Sequence, residues 1–128
     1  MRRLGSICSS LLFTLSLGSC DCTYSYHYEV FNDSASVIWV HWTHDNLVDS
    51  IEITPNGIAE LFVTQHGIEQ CRKGPFFRDV NQDLQEIEVR LNDSITSEKN
   101  YLLNENWSFT SEEYGGAYRA QVILEEFE

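Results

Sequence analysis

From Tyr24 onward, apolar and polar residues alternate with a period of two along most of the chain. Tyr24, Tyr26, Tyr28 and Val30 are separated by Ser25, His27 and Glu29, the pattern of a strand that buries one face. The spacing predicts a first strand ending near Phe31. Asn32-Asp33-Ser34 reads as a turn, because short polar side chains bond to their own backbone and tolerate left-handed dihedrals. A second strand is predicted over 37–43, where Trp39, Val40 and Trp42 offer apolar side chains to both faces. A third is centred on Ile51 and Ile53. Pro55-Asn56-Gly57 then combines a fixed φ with residues that accept positive φ, a hairpin signal leading into a fourth strand over 58–64.

Residues 65–76 break the rhythm with Gly67, Gly74 and Pro75 and form the longest irregular connection. Alternation resumes near Leu84, with Ile87, Val89 and Leu91 on one side and Glu86, Glu88 and Arg90 on the other. Asn92-Asp93-Ser94 turns the chain, and 97–106 has room for a helical turn around Tyr101. Trp107 to Phe109 opens a closing hairpin turned at Gly115-Gly116. The last strand is predicted over 117–127, with Tyr118, Ala120, Val122 and Leu124 inward. About seven short strands, with turn signals roughly every ten residues, predict an all-β, antiparallel sandwich of immunoglobulin-like type. A small closed β-barrel leaves the same trace and stays open as the alternative.

The 128 residues and 42% hydrophobic content suit one domain with one core. Twenty Asp and Glu against eight Lys and Arg give a net charge of −12. Nucleic-acid affinity comes largely from cations that neutralise phosphates, so this balance excludes a nucleic-acid partner. Only Arg72, Lys73 and Arg78 come near to clustering.

The first nineteen residues have a different character. Arg2 and Arg3 precede an apolar run, 7–17, that carries no charge. At eleven residues the run is short of the roughly 20 needed to span a bilayer, and it reads as a signal peptide. It closes with Leu17-Gly18-Ser19-Cys20, which resembles the lipobox of bacterial lipoproteins: an aliphatic residue, two small residues, and the cysteine that receives diacylglycerol. The resemblance implies a signal peptide over 1–19, lipidation at Cys20, a tether over 20–24 and a domain over 25–128. The alternative is an ordinary secretory signal cut after Gly18, which releases a soluble product. Loss of Arg2 and Arg3 takes the net charge to −14, so the domain is expected to stand off an anionic bilayer.

With Cys8 in the signal and Cys20 at the anchor, Cys22 and Cys71 remain, in a compartment where disulfides persist. A bridge between them would close a loop of about fifty residues, worth roughly 4 kcal/mol in the chain-entropy model. Two free thiols are the alternative.

The search for chemistry yields little. No nucleophile elbow, phosphate loop or zinc-protease motif occurs. His41 and His44, three apart on a predicted strand, face opposite ways and do not make a zinc site. Asp79-Val80-Asn81-Gln82-Asp83 resembles the opening of a calcium loop, but Leu84 stands where the sharp turn needs Gly and Arg90 where it needs an acid. Cys71 with His66 lacks an orienting third group for nucleophilic catalysis. The reading is therefore of no catalytic residues, no metal and no cofactor.

Asp33-Ser34-Ala35, Asp49-Ser50-Ile51 and Asp93-Ser94-Ile95 resemble the O-glycosylation signal of exported Bacteroidota proteins, which implies Ser34, Ser50 and Ser94 as acceptors. Asp-Ser before an apolar residue is also how a turn feeds a strand. Together with the lipobox, they make the chain similar to small envelope lipoproteins of that group. The resemblance implies a protein anchored in a bacterial membrane, taken as the outer one, with its domain in the periplasm or at the cell surface. A non-enzymatic interaction or structural module contacting an envelope protein or glycan is expected. The alternative is a small-molecule or glycan-binding module with a site lined by Trp39, Trp42 and Trp107.

Overall fold

The computed structural model describes residues 22–68, 77–92 and 94–128. Eight strands lie among these residues: β1 (Cys22–Asp33), β2 (Ile38–His44), β3 (Leu47–Ile53), β4 (Ile58–Ile68), β5 (Glu86–Leu91), β6 (Ile95–Thr96), β7 (Ser108–Glu112) and β8 (Gly115–Ile123). They form two four-stranded sheets, in the orders β4-β1-β8-β7 and β3-β2-β5-β6. The sheets face each other across one apolar cluster and do not close into a barrel. The fold is thus the all-β sandwich that the alternation predicts. All pairings are antiparallel except that between β1 and β8, the first and last strands, which run parallel at the centre of their sheet.

The inward residues are those of the period-two reading. Tyr24, Tyr26, Tyr28 and Val30 of β1 and Tyr118, Ala120 and Val122 of β8 are buried, opposite Ile38, Val40, Trp42 and Val89 from the second sheet. Aromatic packing organises the interior, since offset and edge-on ring pairs add to simple area burial. Tyr28 stacks on Tyr118 at 4.7 Å and on Phe62 at 4.6 Å, with the edge of Trp107 against it at 5.8 Å.

The local differences from the sequence reading have physical causes. Asn32 and Asp33 extend β1, and the chain bends only after them. Asn32 keeps the inward alternation and is fully buried. Its amide donates to the carbonyls of Ser36 and Ile53 at 2.8 and 3.0 Å, and its side-chain oxygen accepts from the Ser34 hydroxyl at 2.7 Å. β1 also starts at Cys22, inside the predicted tether.

The tight hairpin is at Asp45-Asn46, between β2 and β3. Both residues have positive φ, 52° and 61°, the signature of a two-residue type I′ turn. Pro55-Asn56-Gly57 is instead a crossing from one sheet to the other, because β3 and β4 belong to different sheets. Asn56 takes φ 64° there, and the Gly57 amide donates to the Thr54 carbonyl at 2.9 Å. The closing hairpin turns at Glu113-Tyr114, and Gly115-Gly116 begins β8. The last strand ends at Ile123. Residues Leu124–Phe127 form a 3-10 turn that leaves Leu124 exposed and buries Phe127 in its place.

Gly115 is required where β8 meets β1. Its φ is +118°, and a Cβ there would lie 1.9 Å from the Ser25 carbonyl oxygen. Backbone strain at such a dihedral costs about 1–3 kcal/mol before any clash. Gly115→Ala is therefore expected to lower unfolding stability by about 2 kcal/mol or more, measured by urea denaturation. Gly67→Ala, where nothing lies within 4 Å of the added Cβ, should leave stability within about 0.5 kcal/mol.

Candidate functional site

The densest polar cluster among the described residues lies at one end of the sandwich, around Asp83. This carboxylate follows a 3-10 turn, Val80–Gln82, that leads into β5. Its side chain is only 4% exposed. Oδ2 accepts the Tyr28 hydroxyl at 2.6 Å and the Arg78 Nε at 3.3 Å, and Oδ1 accepts from Arg78 Nη2 at 3.2 Å. A buried carboxylate is tolerated only with such partners. Arg78 is held from behind as well: its backbone amide donates to the Tyr118 hydroxyl at 2.8 Å, and that hydroxyl donates to the Arg78 carbonyl at 2.5 Å.

Two histidines border the cluster. His44 ends β2, stacks on Phe62 at 4.0 Å and places Nδ1 2.9 Å from the Asp83 backbone carbonyl. Since a carbonyl only accepts, Nδ1 carries the proton. His66 of β4 places Nε2 3.0 Å from the Thr64 hydroxyl and 3.6 Å from Asp83 Oδ1. These side chains, with Gln65 and Gln82, line an open cleft of about 350 Å³.

Thr64, His66 and Asp83 bring together the residue types of a hydroxyl nucleophile, a base and an orienting acid. Their geometry differs from a relay in one decisive respect. In a working triad the nucleophile meets one imidazole nitrogen and the acid holds the other. Here Thr64 and Asp83 address the same nitrogen, Nε2, so a proton taken from Thr64 would enter the position the carboxylate approaches. Asp83, moreover, already accepts from Arg78 and Tyr28. The arrangement ties the connection before β5 to β1, β2, β4 and β8.

The protonation of the tyrosines follows from this packing. Burial, then the hydrogen bond and charge of Asp83, push the Tyr28 phenol far above its ordinary value. Burial first, then Arg78 and neighbouring groups of mixed sign, leave Tyr26 and Tyr118 raised as well. At the other end of the sandwich Tyr101 is raised by burial and by its hydrogen bond to Glu126. Each of these tyrosines keeps its proton at any physiological pH.

The residues singled out in the sequence are dispersed. Cys20 and Cys71 lie outside the described residues, as does the side chain of Cys22, and with them the anchor and the bridge. Ser34 is a poor glycan acceptor: it is 9% exposed, and its hydroxyl is committed to Asn32 and the Ser36 carbonyl. Ser50 and Ser94 are exposed, Ser50 within the edge strand β3 and Ser94 just before β6.

The three tryptophans do not share a site. Trp107 is buried against Tyr28 and donates its indole N–H to the Tyr101 carbonyl at 2.8 Å. Trp42 faces the core from β2. Trp39, an odd number of residues from Trp42, points to the opposite face of that strand. In the Asp79–Asp83 stretch, Asp79 accepts from Asn104 at 2.8 Å and Asp83 is held by Arg78. Sequence reasoning missed Asp83 as a hub. The one available signal was an acid beside Leu84 in a stretch returning to strand alternation.

Compared with family models, with curated proteins and with solved structures, the chain matches none. No helix among the described residues is long and apolar enough to cross a membrane.

Two measurements test the structural role of the cluster. Arg78→Ala strands the Asp83 charge and should cost about 3–5 kcal/mol in urea unfolding; Tyr28→Phe, which removes one donor, should cost about 1–3 kcal/mol. The pH dependence has a definite sign. A tyrosine whose folded pKa lies above its unfolded value of 10.0 keeps its proton in the native state while the unfolded chain loses it. These groups therefore leave stability unchanged below pH 10 and lower it as the pH rises beyond. Unfolding at stepped alkaline pH should show that fall, and Tyr101→Phe should make it shallower.

Proposed function

We propose that this protein is a lipid-anchored module of a bacterial cell envelope, whose domain acts by binding an envelope protein or glycan and not by catalysing a reaction. The observation that carries the reading is the sequence Leu17-Gly18-Ser19-Cys20 standing directly before the fold. β1 begins at Cys22, two residues after the cysteine of Leu17-Gly18-Ser19-Cys20. Two acyl chains on Cys20 hold a protein to a bilayer far more firmly than one reversible chain, at about 0.8 kcal/mol per buried methylene.

The charge supports an upright domain. A mature chain of net charge −14 is repelled by anionic lipid within a Debye length of the surface, so the domain stands upright on its anchor with the outward face of each sheet open to the envelope. The polar cluster around Asp83 supports the binding role, because Asp83 is already bonded to Arg78 and Tyr28 and His66 Nε2 meets the Thr64 hydroxyl, with no second imidazole nitrogen held by the acid. A function on such a scaffold resides on loops and sheet faces.

The intact mass of the protein purified from membranes of its host tests the proposal directly. Residues 20–128 plus acyl chains are expected, and Cys20→Ser should move the protein to the soluble fraction. An unmodified soluble chain starting at Ser19 would sink the reading. The same spectrum taken with and without reduction tests the Cys22–Cys71 bridge, which adds two hydrogens when opened.

A further inference from the structure

The outward face of the β3-β2-β5 sheet has an unusual centre. Trp39 lies outside the apolar cluster that fills the interior and points away from it, between two charged neighbours. Glu52 on β3 and Arg90 on β5 are its cross-strand partners. One step along β2, His41 sits between Ser50 and Glu88, and one step further Thr43 sits between Val48 and Glu86. Neighbouring strands are about 4.8 Å apart, and successive outward residues on one strand about 6.7 Å apart. The face is therefore a grid with an indole set among hydrogen-bonding groups at the spacing of a sugar ring and its hydroxyls.

Arg90 donates to Glu88 at 3.0 Å, and both side chains remain about 40% exposed. The pair holds a fixed donor and a fixed acceptor beside the indole. A shallow depression of about 320 Å³ continues the face from His41 and Thr43 toward Val48, Glu86 and Glu88, at the small end of the range for ligand sites.

Charge selects the occupant. Glu52, Glu86 and Glu88 repel an anionic ligand, and Arg90 beside the indole repels a cation from the one position where it could stack. An uncharged ligand with an apolar ring face and many hydroxyls meets neither penalty. Its C–H face packs on the indole, its vicinal hydroxyls donate to carboxylates, and its oxygens accept from Arg90 and His41. We infer that the Trp39 face is a binding platform for a neutral oligosaccharide. This deepens the binding role proposed above and rests on it.

The test uses the full chain in detergent, titrated with soluble neutral oligosaccharides of the gluco, manno, xylo and N-acetylhexosamine series. Heat of binding and tryptophan fluorescence are both followed. Saturable binding to at least one series is expected, with a change in emission. Trp39→Ala should weaken it at least tenfold while leaving the thermal midpoint nearly unchanged, since the indole contributes little to the core. Should that variant unfold, Trp39→Phe and Glu52→Gln carry the test, each expected to lower affinity by a few-fold in a folded protein.

Three results would overturn the inference: no neutral series binding the wild-type protein, binding that survives Trp39→Ala, or preference for an acidic polysaccharide or a basic peptide at this face. The anchor is judged separately. A protein of lipidated mass that binds no saccharide fails only the platform, and a soluble unmodified protein that binds one through Trp39 fails only the anchor.

Discussion

A single buried charge holds the two sheets in relation at one end of the sandwich. Asp83 belongs to the connection that enters β5 in one sheet, yet its carboxylate is bound by Tyr28 of β1 in the other. Its backbone carbonyl accepts a hydrogen bond from His44 Nδ1 at the end of β2, and the next residue but one, Gln85, donates its amide to the Thr43 carbonyl at 2.9 Å. Arg78 neutralises the charge, and Tyr118 of β8 clamps Arg78. Hydrophobic packing is non-directional and sets no register between facing sheets. The bonds to Asp83 are directional, and removal of Arg78 leaves a carboxylate only 4% exposed without its countercharge. The tyrosine stack of β1 and β8 meets the second sheet in one relative position for this reason.

The same logic, weaker, operates at the far end. Glu126, with its side chain 5% exposed, accepts the hydroxyls of Tyr101 and Ser97 and the amide of Ile123. It joins the segment after β6 to the end of β8. An acidic chain has to place its carboxylates somewhere. Among the described residues most lie on the surface, where they raise solubility, and Asp83 and Glu126 are buried acceptors that fasten loops to the sandwich.

How much of this was legible in the sequence depended on the range of the interaction. Alternation on β1, β5 and β8 predicted which side chains turn inward, because a period of two is a local property of extended chain. Turn chemistry located the bends at Pro55 and at the closing hairpin to within a few residues. It did not tell whether a turn returns the chain to the same sheet or passes it across, since that depends on partners distant in the chain. Asn32 shows the limit: a residue type favoured in turns continued a buried strand because the Ser36 and Ile53 carbonyls were there to receive its amide. Asp83 and Arg78, five residues apart, carried no signal as a buried pair, and the contact of Asp83 with Tyr28 spans 55 residues.

The tryptophans bear most directly on function. Read as a set they suggested one lined cavity, and the pleat separates them. Trp42 and Trp107 are accounted for by the core, where indoles fill volume and the Trp107 N–H finds a carbonyl. Trp39 has no such account. An indole on the outer face of a central strand adds little to folding that Thr or Val would not supply, and here it is half-buried, leaving part of an aromatic surface in solvent. Its neighbours Glu52 and Arg90 keep that surface from being an indiscriminate apolar patch, because any occupant must meet an acid on one side and a guanidinium on the other. The interior of this domain can thus be exchanged for other well-packed residues without touching the outer face, and the outer face can be stripped of Trp39 without undoing the sandwich.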